Sequence, residues 1–274
     1  MKLGFFSTLI LTGLPLVAQI PTPNKAGVAG GHHVFRAKDI PAANHFWQAI
    51  GGEPAQFAGR LNLIKFPGVL ILEVGSGAAQ AKGAPPPPPV DLAGSEGSSV
   101  DFIGFSVKDL KGSLAKWAEA GIKPQPGGSA TQVYLMTPDK IKVRITEDKS
   151  LAVPIAADTV KMMVPNVAEA QAWYAKNFGA ELTKRGNETV ANIPGASIVF
   201  EQAKGPMAAT KGRALDRIGL EVVDLENFAK KLEAAGVKFE GSYRYTEAMK
   251  AGFAVFQDPW GTLVELSVGL SAVK

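Results

Sequence analysis

The sequence predicts an α+β protein assembled from four copies of one unit, a strand, a helix and about three further strands, and three observations predict it. The first is a phrase used twice: residues 215–225 read LDRIGLEVVDL and residues 100–110 read VDFIGFSVKDL. Weaker copies begin at His32, as HHVFRAKDI, and at Thr159, as TVKMMVPNV. Self-similarity of this kind marks a repeated structural unit. The second observation is that each copy runs from an alternating or apolar stretch, suited to a strand, into a residue suited to capping a helix: Asp39, Asp109, Asn166 and Asp224. The third is that each unit closes with a β-forming stretch after a proline, at 67–74, 138–145, 194–200 and 259–266.

Taken in order, the strands begin at His32, Phe102, Thr159 and Arg217, spaced 70, 57 and 58 residues apart, so the first unit carries extra length. The first helix follows Asp39 and ends at Gly51, and the second follows Asp109 and ends at Gly121. In the third, Asn166 and Glu169 form a capping-box pattern and Gly179 ends the helix. In the fourth, Leu225, Phe228, Ala229, Leu232 and Ala235 share one helical face before Gly236. The surplus lies at 75–99, rich in Gly, Ala and Ser and holding five prolines at 85–89; it reads as an extended connector, too poor in apolar surface to fold alone.

Composition narrows the function classes. The chain has 274 residues, 46% hydrophobic and 20% charged, the balance of a globular protein. Its net charge of +4 is scattered among 25 acids, with no basic stripe, which argues against a nucleic-acid partner. Lys2, the apolar run at 3–16 and Val17-Ala18-Gln19 have the layout of a signal peptide spanning 1–18, predicting a periplasmic or secreted protein with a flexible segment at 19–30. The run is too short and too broken by Thr12, Gly13 and Pro15 for stable membrane insertion. There is no cysteine, so thiolate metal sites and thiol nucleophiles are excluded. No phosphate loop, nucleophile elbow or His-Glu-x-x-His helix is present, and three histidines leave few candidate bases.

Four such units, with DFIGFSVKDL, DRIGLEVVDL and DPWGTLVEL, resemble the vicinal oxygen chelate superfamily, which includes glyoxalase I, extradiol dioxygenases, methylmalonyl-CoA epimerase and the bleomycin and fosfomycin resistance proteins. The resemblance covers residues 31–270 and is nearest to the four-module, glyoxalase-like branch. It implies two cup-shaped mixed sheets, divided here into a domain at 31–148, containing the connector, and a second at 149–274. It also implies a small-molecule ligand in the cup and a divalent metal (zinc, nickel, manganese or iron) held by side chains from the first and last strands of paired units.

The first-strand positions are His32, Phe102, Thr159 and Arg217. Counting six residues beyond each proline gives Glu73, Arg144, Phe200 and Glu265 for the last strand. Glu201 falls one place later and by alternation points to the other face. His32 and Glu73 are therefore the candidate metal ligands, in an incomplete site. Glu265 and Arg217 are the candidate catalytic residues, the guanidinium gripping the carboxylate and supplying the charge of a missing ion, with Arg144 doing the same for Glu73. Thr159 and Arg217 stand where a ferrous dioxygenase would carry histidines, which argues against that activity. Two functions stay open: a lyase or isomerase with a degenerate metal site, and a non-catalytic binder. His33 points away from His32, and His45 reads as a packing or surface residue. Trp47, Trp117, Trp173 and Tyr174 read as core, and Tyr243, Tyr245 and Trp260 as pocket or packing residues.

Overall fold

The four predicted caps form as expected, and they fix where each helix begins. In the computed structural model, which describes residues 20–76 and 92–273, Asp39, Asp109, Asn166 and Asp224 each have extended backbone and accept a hydrogen bond from the amide three residues on. They open α1 (Ile40–Ala49), α2 (Leu110–Glu119), α3 (Val167–Phe178) and α4 (Leu225–Ala234). Gly179, with φ of 64°, takes the left-handed cap of α3 that a side chain would strain.

Module 1 comprises β1 (Val28–Ala37), α1, β2 (Glu53–Phe57), β3 (Leu61–Phe66) and β4 (Val69–Gly75). Module 2 comprises β5 (Val100–Val107), α2, the short β6 (Gln125–Pro126), β7 (Gln132–Met136) and β8 (Lys142–Glu147). Module 3 has β9 (Ile155–Val164), α3, β10 (Glu181–Arg185), β11 (Glu188–Ile193) and β12 (Ala196–Gln202). Module 4 has β13 (Leu215–Val222), α4, β14 (Arg244–Thr246), β15 (Ala251–Gln257) and β16 (Leu263–Val268), followed by a 3₁₀ turn at Leu270–Ala272. The α+β expectation of two cup-shaped mixed sheets holds.

The pairing of modules departs from the chain-order domains at 31–148 and 149–274. One eight-stranded sheet runs β14-β15-β16-β13-β1-β4-β3-β2 and joins modules 1 and 4; the other runs β10-β11-β12-β9-β5-β8-β7-β6 and joins modules 2 and 3. The seams are antiparallel, β1 on β13 and β5 on β9. We call the two concave faces the terminal cup and the central cup. On the other faces, Phe35, Trp47, Phe66 and Phe105 stack across the two sheets, with ring centroids 4.7–6.3 Å apart, in a core shared by all four modules. The predicted core residues Trp47, Trp117 and Tyr174 are buried, and His45 is exposed.

Two expectations about loops are corrected. Within the segment at 19–30, residues 20–30 are tied down rather than loose: the Asn24 side-chain amide donates to the carbonyls of Phe178 and Gly179, and β1 already begins at Val28. The last part of the connector is folded too, because Leu92 and Ser95 are buried and Ser99 hydrogen-bonds Thr262 across modules. Residues 77–91 and the signal-like segment 1–18 lie outside the described residues. Among the described residues no helix is long and apolar enough to cross a membrane.

Candidate functional site

The repeated phrase places its third residue on the floor of a cup and its fifth, a glycine, beneath the partner strand. A Cβ on Gly219 would sit 2.2 Å from the His32 ring, and one on Gly104 would sit 3.0 Å from Thr159. Glycine there admits the side chain from the facing module, so the motif is written by close approach at the seam.

In the terminal cup this brings three predicted residues together. His32 Nε2 meets Glu265 Oε1 at 2.8 Å, and Arg217 donates to Glu265 Oε2 at 2.5 Å. The grip is single rather than forked, because the Arg217 Nε donates instead to Asp216, which also receives Arg36 and the Gly212 amide. Burial pushes the Glu265 carboxyl up, but His32 and Arg217 outweigh it and hold it below the ordinary glutamate value. The network continues inward from His32 Nδ1 to Ser267 at 3.4 Å, and from Ser267 to Glu221 at 2.6 Å. Glu221 in turn accepts the amides of Gly269 and Ser271, anchoring the C-terminal turn. From that turn Leu270 and Val273 pack into the cup against Phe57, Leu63, Leu70 and Ala251, so its apolar half is filled by the chain itself.

Glu73 is not part of this group. His32 pairs with Leu70, whereas Glu73 pairs with Phe35, three residues further along β1 and on the opposite face. Glu73 receives the Trp47 indole at 2.6 Å on the helix side, with its other oxygen unpartnered, and burial raises its pKa to about 7. The proline count fails here for a definite reason. Modules 1 and 3 turn through two residues, Pro67-Gly68 and Pro194-Gly195, while modules 2 and 4 turn through five, at 137–141 and 258–262. The residue facing the first-strand position is three beyond proline in the former and four in the latter, and a one-residue slip reverses the face. The cup positions are thus Leu72, Arg144, Val199 and Glu265. Trp260, at the five-residue turn, packs on Trp173 and Tyr174, and Tyr245 is exposed.

The central cup holds different chemistry. Phe102 and Arg144 share its floor, the guanidinium lying 4.7 Å from the ring centroid. Arg144 does not serve Glu73; it donates to Glu188 at 2.7 Å and to Thr159 at 3.2 Å, leaving its Nε unpartnered. Lys161, two residues beyond Thr159 on the same face, pairs with Glu201 at 2.8 Å. Glu201 therefore faces the cup, and it is Phe200 that turns back to Tyr174. Arg185 spans Asp158 and Glu188, and Lys142 pairs with Asp101 and lies over Tyr134. Of these groups Phe102, Arg144, Lys161, Glu188, Glu201, Asp101 and Tyr134 line, with Met163 and Met207, an open cavity of about 660 Å³. Lys161, Glu188 and Glu221 were not singled out from the sequence, yet alternation along each strand from Thr159 and Arg217 carries the signal for Lys161 and Glu221.

A divalent metal does not fit the donors present. The four cup positions of modules 1 and 4 supply His32 and Glu265, already joined to each other and to Arg217, beside Leu72. Modules 2 and 3 supply Phe102, Arg144, Thr159 and Val199, none of which is a usual ligand. Among the described residues no three His, Cys, Asp or Glu side chains are grouped to hold an ion.

Residues 156–266, spanning modules 3 and 4, match the family described as the Glyoxalase/Bleomycin resistance protein/Dioxygenase superfamily. No curated protein sequence matches the chain. Among solved structures, glyoxalase I from Zea mays superimposes with a TM-score of 0.66 at 16% identity, covering 89% of this chain and 93% of that one. A candidate dioxygenase from Bacillus subtilis gives 0.61 at 13% identity, covering 93% and 88%. At such identities the likeness establishes the shared fold.

Proposed function

We propose that this chain, whose modules 3 and 4 match the glyoxalase, bleomycin resistance and dioxygenase superfamily, is a small-molecule binding protein that holds its ligand in the central cup without turning it over. The observation that carries this reading is the contrast in filling. The central cup is an open cavity of about 660 Å³, within the range of ligand sites, while the terminal cup is occupied by Leu270 and Val273. A ligand entering the central cup meets polar groups fixed by Arg144, Lys161 and Tyr134 against apolar Phe102 and Met163, a mixture that orients a ligand and excludes water. Glu188, the carboxylate beside the floor, is engaged by both Arg144 and Arg185, which leaves it poorly placed to serve as a base.

The lyase or isomerase reading rests on His32 and Glu265, which meet at 2.8 Å. It is the weaker of the two, since both side chains are buried and their polar atoms are spent on each other, on Arg217 and on Ser267. Export by residues 1–18 remains a further proposal, tested by the N-terminal sequence of the protein recovered from outside the cytoplasm.

Native mass spectrometry of protein purified from its producing cells tests the binding reading. A ligand retained at one per chain and recovered chemically unchanged is the expected result. Elemental analysis after incubation with zinc, nickel, manganese and ferrous iron tests the alternative. Near-stoichiometric metal that disappears in His32→Ala would restore the enzyme reading.

A further inference from the structure

Two ion pairs of the central cup are arranged by depth. The Arg144 side chain is 8% exposed against 26% for its partner Glu188, and Lys161 is 10% exposed against 56% for Glu201. In these two pairs the cation lies at the floor and its carboxylate nearer the mouth, whereas Arg185, outside the cavity lining, is more exposed than its partners Asp158 and Glu188. Lys204 adds a cation on the wall, and the Arg144 Nε is buried without a partner. A guanidinium stacked on Phe102 and an ammonium in a low-dielectric floor exert a stronger field on a bound group than exposed acids do across solvent. The floor is therefore positive although the pairs nearly balance in number.

The cavity also continues in one direction. Met163, Lys204, Gly205, Pro206 and Met207 line both the central cup and an adjoining groove that runs to Pro259 and Trp260. Head and tail thus face different surroundings, a cationic floor and an apolar wall.

We infer that the ligand class of the central cup is an amphipathic organic anion, its carboxylate or similar head on Lys161 and Arg144 and its apolar body lying along Met163 and Met207 toward Trp260. The inference deepens the binding reading and rests on it. The head takes the place of Glu201 on Lys161, exchanging one charge-assisted pair for another, and Glu201, more than half exposed, swings into water at little cost.

Isothermal titration of the full chain with octanoate, octylamine, 1-octanol and acetate tests the assignment. Octanoate is expected to bind one per chain and octylamine not at all, with acetate far weaker than octanoate for want of the tail. Lys161→Met should weaken octanoate by about tenfold, the loss of one charged hydrogen bond, while Glu201→Gln, which frees Lys161, should strengthen it several-fold. Met207→Ser should weaken octanoate and leave acetate unchanged. Thermal melts of each variant separate lost binding from lost fold. Octanol or octylamine binding as tightly as octanoate overturns the charge assignment and leaves a binder of another class. Octanoate affinity indifferent to Lys161→Met and Glu201→Gln overturns the placement of the head. Failure of all four probes, together with no ligand retained in native mass spectrometry, overturns the binding reading itself.

Discussion

The terminal and central cups are cut from the same template and finished in opposite ways. Each is two modules joined at an antiparallel seam, with a glycine of the repeated phrase beneath a side chain from the facing strand. In the terminal cup the charges are buried together and saturated: Arg217, Glu265, His32, Ser267 and Glu221 form one chain of contacts, and Leu270 and Val273 close over the apolar remainder. In the central cup Arg144 and Lys161 lie deeper than the carboxylates they pair with, and the middle is open. Equivalent positions in one fold can therefore become structural struts or a ligand floor, depending on whether the chain brings its own side chains to fill the space.

The largest effect is expected from Glu265→Ala, which leaves buried His32 and half-buried Arg217 without their carboxylate; a loss of about 3–5 kcal/mol in urea unfolding should follow. Replacing His32, Arg217 and Glu265 together by Leu, Met and Leu should recover most of it, whereas an enzyme site would show little stability cost in either variant. Next, Leu270→Ala should cost about 2–4 kcal/mol by emptying part of the plug, and binding of octanoate to the central cup should be unchanged.

Acidity tests the cups against the layer between them. Glu265 has its folded pKa depressed, so its stabilising contribution is present above the ordinary value of 4.5 and is lost as pH falls through and below it. Glu73, beside Trp47 and Asp139, has its folded pKa raised to about 7, so it costs stability as pH rises from about 4.5 to 7. Glu73→Gln should therefore flatten the alkaline side of a melting-temperature profile, with a gain near pH 8 of at most about 3 kcal/mol. The smallest effect expected distinguishes the two seams: Gly219→Ala, against the His32 ring, should destabilise by about 1–3 kcal/mol, and Gly104→Ala, against Thr159, by less.

Much of the architecture was legible because it is written locally. Asp39, Asp109, Asn166 and Asp224 announce helix starts through side-chain chemistry confined to four residues, and the fourfold phrase announces the unit. The site was legible only where loop length cooperated. The meeting of Arg217 and Glu265 follows from parity along β13 and β16, but Glu73 was misplaced by a turn three residues shorter, and Glu201 by the same slip in module 3. Which modules pair is not local at all. It depends on seams between strands nearly 190 residues apart in one sheet and about 55 in the other, and nothing in the alternation of one strand names its partner.

That pairing has a consequence for the order of synthesis. The central sheet is encoded without interruption between residues 100 and 202, so it can close while the last module is still being made. The terminal sheet needs β1 to wait for β13 and β16, which are made nearly 190 residues later or more. At about 5–20 residues per second, the N-terminal strand spends roughly ten to forty seconds with its seam edge exposed. The nascent chain thus has one sheet that can pair early and one that is sealed only when the fourth module follows, which makes β1 the strand most dependent on protection in the interval.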